Sequence, residues 1–542
     1  MPPFVHDAVE GHPAWEGGMD ASSEFDHVIV GAGSAGCVIA RRLVDAGRTV
    51  ALIEAGGPDT NPAIHDPLRA WELWNSREDW AYLTEPQEHA LKAEVSWPRG
   101  KVLGGSSCLN GMIYVRGARA DYDNWAYNGA AGWSYADVLP YFRRSEDFED
   151  GPSAFHGAGG PLPVTRNHDP NPVTVAFLEA CAQHGVPLND DPNAETIFGA
   201  GLCHLTIRGG RRMSAWTSFV LPVLDSPLLT VITGAQVASL LFDDSGRAAG
   251  VRLAGGGAVL SAETVRAAAA PAPAPSRVWS AGDVIACAGV IGSPQLLLLS
   301  GIGPADDLGL LGLDVRADVP GVGENLHDHA LATVLYEAGR PVPPGTAQNL
   351  EAHFFAASDP AMVAPNLQPL MSHFPMPVDG YPVPGYGWGY AIVAGIIRPL
   401  SRGRLWLRSA DPARPPALDP RYLRDPADAT ALLAALKVSR EVGAGAALAG
   451  WRAAEIAPGP DVRTDADLLG YGRRNLITYH HQVGTCKMGI DELAVVAPDL
   501  RVHGVDGLRV ADASVMPAVT SGNTNAPTIM IGERCADFLL RA

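Results

Sequence analysis

Gly31, Gly33 and Gly36 stand in G-x-G-x-x-G spacing directly after the apolar run Val28-Ile29-Val30. Residues of this type at this spacing can hold a pyrophosphate. The first glycine permits a tight turn, the second lets a phosphate approach the backbone, and the third lets a helix pack closely on the preceding strand. A helix opening at the turn then offers free N–H groups and a positive dipole end to the anion. Glu54 lies about twenty residues beyond the glycines, where a carboxylate accepts from the hydroxyls of a ribose. An acid there disfavours a 2′-phosphate, so the chemistry is that of FAD or NAD rather than NADP.

Such a turn works only between a strand and a helix. The run Asp26–Val30 has the apolar character of a buried strand, and a helix is expected over Cys37–Ala46, with Val38, Ile39 and Leu43 turned inward. A second strand, Thr49–Ile53, delivers Glu54. Downstream, helical spacing recurs near Tyr135–Ser145. Strand pairs are expected at Leu228–Thr233 and Val237–Phe242, the second suggesting a meander. Val284–Gly289 reads as another buried strand, followed by a helix over Gln295–Ser300 with Ser293 as cap and Pro294 at its first position. Strand signals dominate roughly 330–410 and helical ones 427–445. The Ala/Pro run Ala267–Pro275 reads as a protruding linker.

Composition narrows the function classes. At 542 residues the chain exceeds one hydrophobic core, so two intertwined domains are expected. Hydrophobic residues make up 47% and charged ones 18%, a balance that suits a compact fold and argues against disorder. The formal net charge of −19 repels nucleic acid and anionic membrane surfaces, so neither is expected as a partner. Seven dispersed cysteines without a C-x-x-C pair point to reduced thiols and a cytoplasmic setting. Met1–Ser23 lacks the basic start and apolar core of a signal peptide and reads as a tail. No apolar run reaches membrane length.

Three further segments join the nucleotide turn. They are GKVLGGSSCLNGMIYVRG at Gly100–Gly117, GVIGSPQLLLLSGIG at Gly289–Gly303, and a carboxy-terminal set. That set comprises Thr478–Gly489, Val510–Pro517 and Ser521–Thr528. Together they resemble the glucose–methanol–choline (GMC) oxidoreductase family over nearly the whole chain. The branch of bacterial choline oxidases and choline dehydrogenases is most similar, above all at Arg509–Ala536. The resemblance implies the GMC fold: an α/β, Rossmann-like FAD-binding domain with a parallel sheet and meander, plus an α+β substrate domain with an antiparallel sheet. It implies a tail at 1–24, FAD-binding parts at 25–165 and 227–328, substrate parts at 166–226 and 329–478, and a last FAD-binding part at 479–542.

FAD rather than NAD is then the implied cofactor. By resemblance, Gly33, Ser34, Glu54 and Ala55 hold its ADP half, with Gly31 and Gly36 shaping the turn. Val102, Ser106, Asn110, Gly111, Met112 and Ile113 line the isoalloxazine and ribityl chain. Val237 matches the family's adenine contact. Asp512, Ala513 and the neighbouring Thr524 match contacts along the rest of the cofactor. His481 matches the family's histidine and Asn523 its second polar position. Oxidising an alcohol removes a proton from oxygen and a hydride from carbon. A neutral imidazole can take the proton, while asparagine cannot act as a base and serves as a positioning donor. His480 would point away from His481 if the segment were a strand, yet it matches an aromatic position of choline-acting relatives and is a candidate flavin contact. His373 aligns with a third histidine of that branch. Asn525 reads as structural. His327 and His329 flank Asp328 in an H-x-H pattern, read as a structural loop with no metal.

Two departures refine the expectation. Members that tether flavin to histidine carry it where this chain has Leu109, so FAD is expected to be non-covalent. Choline-specific relatives carry a glutamate where this chain has Leu331. Choline is therefore not the expected substrate, and Trp71 remains a candidate aromatic wall. The expected reaction is oxidation of a primary alcohol to an aldehyde, and onward to the acid where the hydrate binds, with O2 or another electron acceptor. Oligomeric state is not legible. Two alternatives share the fold: a hydroxynitrile lyase, which nothing in the sequence favours, and a fatty-acid photodecarboxylase. The latter carries cysteine before an Arg-Pro pair, where this chain has Ile397-Arg398-Pro399.

Overall fold

The computed structural model describes residues 24–261 and 272–541. The expected tail Met1–Ser23 and the first half of the Ala/Pro run lie outside them. The end of that run, Ala272–Pro273, pairs as a short exposed strand with Ala258–Leu260.

Two large sheets organise the chain. The first has seven strands, with His27–Val30 and Val50–Ile53 at its centre. Val50–Ile53 pairs parallel with Leu229–Thr233, and His27–Val30 with Val284–Ala286, which pairs in turn with Leu508–Val510. Every residue of the two central strands is buried, because both faces of a parallel sheet are covered, and the apolar runs are continuous for that reason. A smaller sheet beside it carries the expected meander: Val237–Phe242, Ala248–Leu253 and Arg277–Ser280 pair antiparallel in order.

The second large sheet is antiparallel along its main path. Its long strands are Ala330–Ala338 and Gly389–Ile396, continued by Leu370–Ser372, Leu350–Phe355 and Gly199–Leu202. The helix Pro426–Gly443 packs against it, as the helical spacing near 427–445 predicted.

Two helix starts differ from expectation. The helix after the glycine turn spans Ser34–Asp45, three residues earlier than expected, because Gly33 itself serves as N-cap with extended backbone. The helix after Val284–Ala286 spans Gly289–Leu299 and not Gln295–Ser300. Ser293 and Pro294 therefore sit inside it. Its first turn is capped from a distance: the Gly289 N–H and the Ser293 hydroxyl donate to Asp512 Oδ2 at 2.9 and 2.6 Å. Sequence spacing could not reveal a cap supplied from more than 200 residues away.

The last helix, Asn525–Arg541, lies along Ser34–Asp45. Ser34 Oγ donates to Asn525 Oδ1 at 2.7 Å. Arg42 and Arg144 both reach the fully buried Glu533 at 2.7 Å. Glu533 is the fully buried member, and two partly exposed arginines offset its charge. The helices Ser34–Asp45 and Asn525–Arg541 are thus fastened to each other beside the nucleotide turn. All seven cysteines are free and buried. Among the described residues no helix is long and apolar enough to cross a membrane.

Candidate active site

One cavity of about 710 Å³ runs from the glycine turn to the edge of the antiparallel sheet. At one end it is bounded by Gly31, Gly33, Ser34, Glu54, Ala55 and Val237. Its middle is lined by Ser106, Asn110, Gly111, Met112, Ile113, Asp512, Ala513 and Thr524. The far end carries His480, His481 and Asn523. Two of the expected cofactor residues stand behind the wall. Gly36 makes a packing contact: a Cβ there would meet Gly31 O at 2.0 Å. Val102 was expected along the isoalloxazine ring, but it is fully buried in a small apolar cluster with Cys108 and Leu109. It pairs with Gly57 there, so it supports the lining loop from behind.

The glycine end fits a dinucleotide on its own geometry. Open space faces Gly33, where an added Cβ would meet nothing within 4 Å, so the backbone is accessible to a ligand. Glu54 accepts from Ala32 N at 3.0 Å and Gly56 N at 2.8 Å, one bond to each carboxylate oxygen. Each oxygen keeps a second lone pair for a ribose hydroxyl. Burial raises this carboxyl to about 7, against the pull of those backbone bonds. A donor arriving with a ligand would favour the ionised form. Asp512 lines the cavity. Its carboxylate is spent on the helix at Gly289 and on Ser514 N at 2.8 Å, so its side chain shapes the wall. Asn110 Oδ1 is likewise engaged, by Arg212 at 2.7 Å and by Met112 N at 3.0 Å.

At the far end Asn523 Nδ2 lies 3.2 Å from His481 Nε2. His481 Nδ1 lies 3.0 Å from His329 Nδ1. With the amide N–H facing it, Nε2 accepts, and the proton on Nδ1 then donates to His329. Burial first, then His329, His480 and Arg99, holds His481 well below the usual histidine range. The imidazole is therefore neutral near pH 7. Tyr479 stacks on it at 4.4 Å between ring centroids.

The segment 478–482 is held by Asp328, which accepts from His481 N at 2.8 Å, Thr478 Oγ1 at 2.6 Å, Gln482 Nε2 at 3.1 Å and the Tyr422 hydroxyl. His327 Nδ1 donates to Asn325 O at 2.6 Å and its Nε2 accepts from Val519 N at 2.9 Å. The H-D-H loop thus ties together both carboxy-terminal segments that supply the site. Sequence reading saw a structural loop but missed that His329 touches His481 directly. Only a contact between residues 152 apart could show it.

His480 corrects a second expectation. The strand ends at Thr478, and His480 has φ +64°. That left-handed turn breaks the alternation of a strand, so His480 and His481 face the same cavity. The His480 ring meets Trp74 at 5.1 Å, and Arg99 donates to its carbonyl at 2.7 Å. Trp71 lines the cavity while 58% exposed, at the mouth rather than in the depth. His373 is buried outside the cavity wall, 3.8 Å from Glu351 and beyond hydrogen-bonding reach. Asn525, read as structural, both caps against Ser34 and touches the cavity.

The chain is similar to known proteins over nearly its whole length. The amino-terminal GMC oxidoreductase pattern matches residues 25–331, and the carboxy-terminal one residues 399–532. The chain is a GMC oxidoreductase. It is 39% identical over 548 residues to an oxygen-dependent choline dehydrogenase of Sinorhizobium fredii, covering 95% of this chain and 96% of that one. The mitochondrial choline dehydrogenase of Homo sapiens is 38% identical over 559 residues, covering 96% and 91%. Among solved structures, pyridoxine 4-oxidase from Mesorbium loti superposes with a TM-score of 0.87 at 35% identity, covering 94% and 98%. As a member of this family, the chain is an FAD-dependent oxidoreductase acting on CH–OH donors. The expected fold, an FAD-binding α/β sheet joined to an antiparallel substrate sheet, is the one observed.

Proposed function

We propose that this GMC oxidoreductase oxidises a neutral primary alcohol to its aldehyde, with His481 as the proton acceptor and Asn523 as the donor that positions the substrate oxygen. The observation that carries the reading is the 3.2 Å contact between Asn523 Nδ2 and His481 Nε2 at the cavity wall. When an alcohol binds, its hydroxyl takes the place of the Nδ2 hydrogen on Nε2, and Nδ2 donates to the alcohol oxygen instead. A proton leaving that oxygen goes to Nε2, and the resulting imidazolium keeps its Nδ1–H on His329. Asn523 holds the oxygen as it gains charge, which is the kind of contact that strengthens in the transition state. Bound FAD supplies the two-electron oxidant that accepts the hydride. Gly31, Gly33, Ser34, Glu54 and Val237 would hold its nucleotide half. Ser106, Met112, Ile113, Ala513 and Thr524 would flank the remainder. Leu109, at the cavity wall, offers no nucleophile for a covalent tether, so the cofactor is bound non-covalently.

Neutrality of the substrate follows from the charges on the wall. Glu54 is bonded to the turn, Asp512 caps a helix, Arg99 holds the His480 carbonyl, and Lys92 pairs with Asp379 at 3.2 Å. The remaining charged lining residue, Glu94, is exposed. Around His481 the walls are Leu331, Leu350, Leu370, Val393 and Tyr479. A quaternary ammonium finds no unpaired carboxylate among them, so choline is disfavoured. An alcohol with an apolar or aromatic body loses little on entering.

The test is anaerobic mixing of the flavoprotein with a panel of alcohols, followed in flavin absorbance and then opened to air. Bleaching by neutral alcohols but not by choline is the expected result. Full bleaching by choline alone would overturn the substrate reading, and rapid or slow recovery in air distinguishes O2 from another electron acceptor.

A further inference from the structure

Behind Asn523 stands a second carboxamide. Gln368 is fully buried and lies outside the cavity wall. Its Nε2 donates to Asn523 Oδ1 at 3.2 Å, and the same nitrogen lies 3.3 Å from His353 Nδ1. Burial lowers His353 to about 3, so this imidazole is neutral, and with the Gln368 NH2 facing its Nδ1 that nitrogen accepts. One NH2 group thus serves two acceptors with its two hydrogens.

The Gln368 backbone cannot drift. Its N–H donates to Gly395 O at 2.9 Å, and a Cβ at Gly395 would come within 2.6 Å of Gln368 O. Phe354 N, next to His353, donates to Pro369 O at 3.0 Å. Two neighbouring strands of the antiparallel sheet therefore hold Gln368 on either side.

A carboxamide has two ends of nearly equal shape and opposite hydrogen-bonding sense. With its oxygen claimed by a donor, Asn523 must turn its NH2 toward His481. In the flipped orientation its oxygen would face the Nε2 lone pair. That arrangement becomes favourable only when Nε2 carries a proton, and a protonated Nε2 is no base. Asn523 lies in the loop before the helix Asn525–Arg541, so the choice between the two faces falls to its side-chain partners.

We infer that Gln368 is a positioning residue that fixes the direction of the Asn523 carboxamide and so keeps His481 Nε2 unprotonated until the substrate hydroxyl displaces the amide hydrogen. The inference rests on the role proposed for His481.

The decisive variant is Gln368→Glu, which keeps the volume and reverses the hydrogen bond. An ionised carboxylate can only accept, so it draws Asn523 Nδ2 toward itself and turns Oδ1 onto His481. Anaerobic flavin reduction is measured across pH for the wild type, Gln368→Glu, Asn523→Ala and the double variant, all loaded with FAD. Gln368→Met, of similar length and without the amide, takes its place should the glutamate variant not retain flavin. In Gln368→Glu the acid limb of kcat/KM is expected to move upward by about one pH unit, and the rate at pH 7 to fall about tenfold or more. Gln368→Met should lose about tenfold with no upward move of the limb, since neither orientation is then imposed. In the Asn523→Ala background either change should have little further effect, because distant or mediated roles appear only as coupling in such a cycle. A wild-type profile in Gln368→Glu, or an equal loss with and without Asn523, would overturn the inference. A His481→Ala variant that still reduces its flavin at the wild-type rate would instead remove the reading on which the inference rests, whatever Gln368 does.

Discussion

The two ends of the cavity are built in opposite ways. At the nucleotide end the groups are backbone atoms of one short stretch, and Glu54 reaches Ala32 across only 22 residues. At the alcohol end they are side chains from separated segments: His481 to Asn523 spans 42 residues, His329 to His481 spans 152, and Gln368 to Asn523 spans 155. A phosphate needs exposed N–H groups and room, which glycines and a helix start provide locally. A proton transfer needs a particular lone pair at a particular place, which only packing from several directions can enforce.

This contrast predicts that damage at one end leaves the other intact. The largest effect is expected for His481→Ala. Flavin content should stay at wild type while the reduction rate constant falls about 10²–10⁴-fold, the usual worth of a positioned general base; stopped-flow absorbance decides it, and loss of flavin in this variant would break the contrast. Next comes Glu54→Gln. It should raise the Kd for FAD about 10–100-fold, as removal of a charged hydrogen-bond acceptor does, with the rate constant unchanged at saturating FAD. Fluorescence titration of the apoprotein measures the first quantity, and a large fall in the second would show the two ends to be coupled. A smaller change is expected for Leu331→Glu, which places a carboxylate on the wall near His481. The Kd for choline should drop about tenfold, with FAD affinity unaltered. The last prediction is an effect that does not occur. Burial, together with His329, His480 and Arg99, depresses His481, and a depressed imidazole keeps its free lone pair in acid. On a kcat/KM profile the plateau should therefore extend well below pH 6.5, with the fall only at lower pH. A limb at the ordinary histidine value would show that the site is wetter than the geometry implies.

Legibility in the sequence follows the same division. The glycine turn, both central strands, the meander and the helix Tyr135–Ser145 could be read directly, because each is set by local backbone preference and apolar period. His481 and Asn523 were legible only through a family resemblance; nothing in the spacing of Tyr479-His480-His481 marks one histidine over its neighbour. The strand expected at His480 failed because a left-handed residue has no signature when it is not glycine. Arg99 and Gln368 carried no signal at all, and Asp328 only as the centre of a loop read as structural. Each acts on a partner that is near only after folding, and a buried glutamine on a sheet is otherwise an ordinary residue. Asp512 shows the converse: its motif position was right, but its carboxylate serves a helix start that local sequence placed six residues too late.

The pairing of the first long helix with the last has a consequence in time. Ser34 and Asn525 are 491 positions apart, as are Arg42 and Glu533. During synthesis the glycine turn is made 491 positions before the partner that braces it. Asn523 arrives together with that partner. A growing chain can therefore display the nucleotide turn long before it owns an alcohol site, and closure of such distant pairings is the slow part of folding. A chain that stops before Asn523 still carries the glycine turn and Glu54, but it lacks the second half of its chemistry and the clasp that Asn525 makes with Ser34.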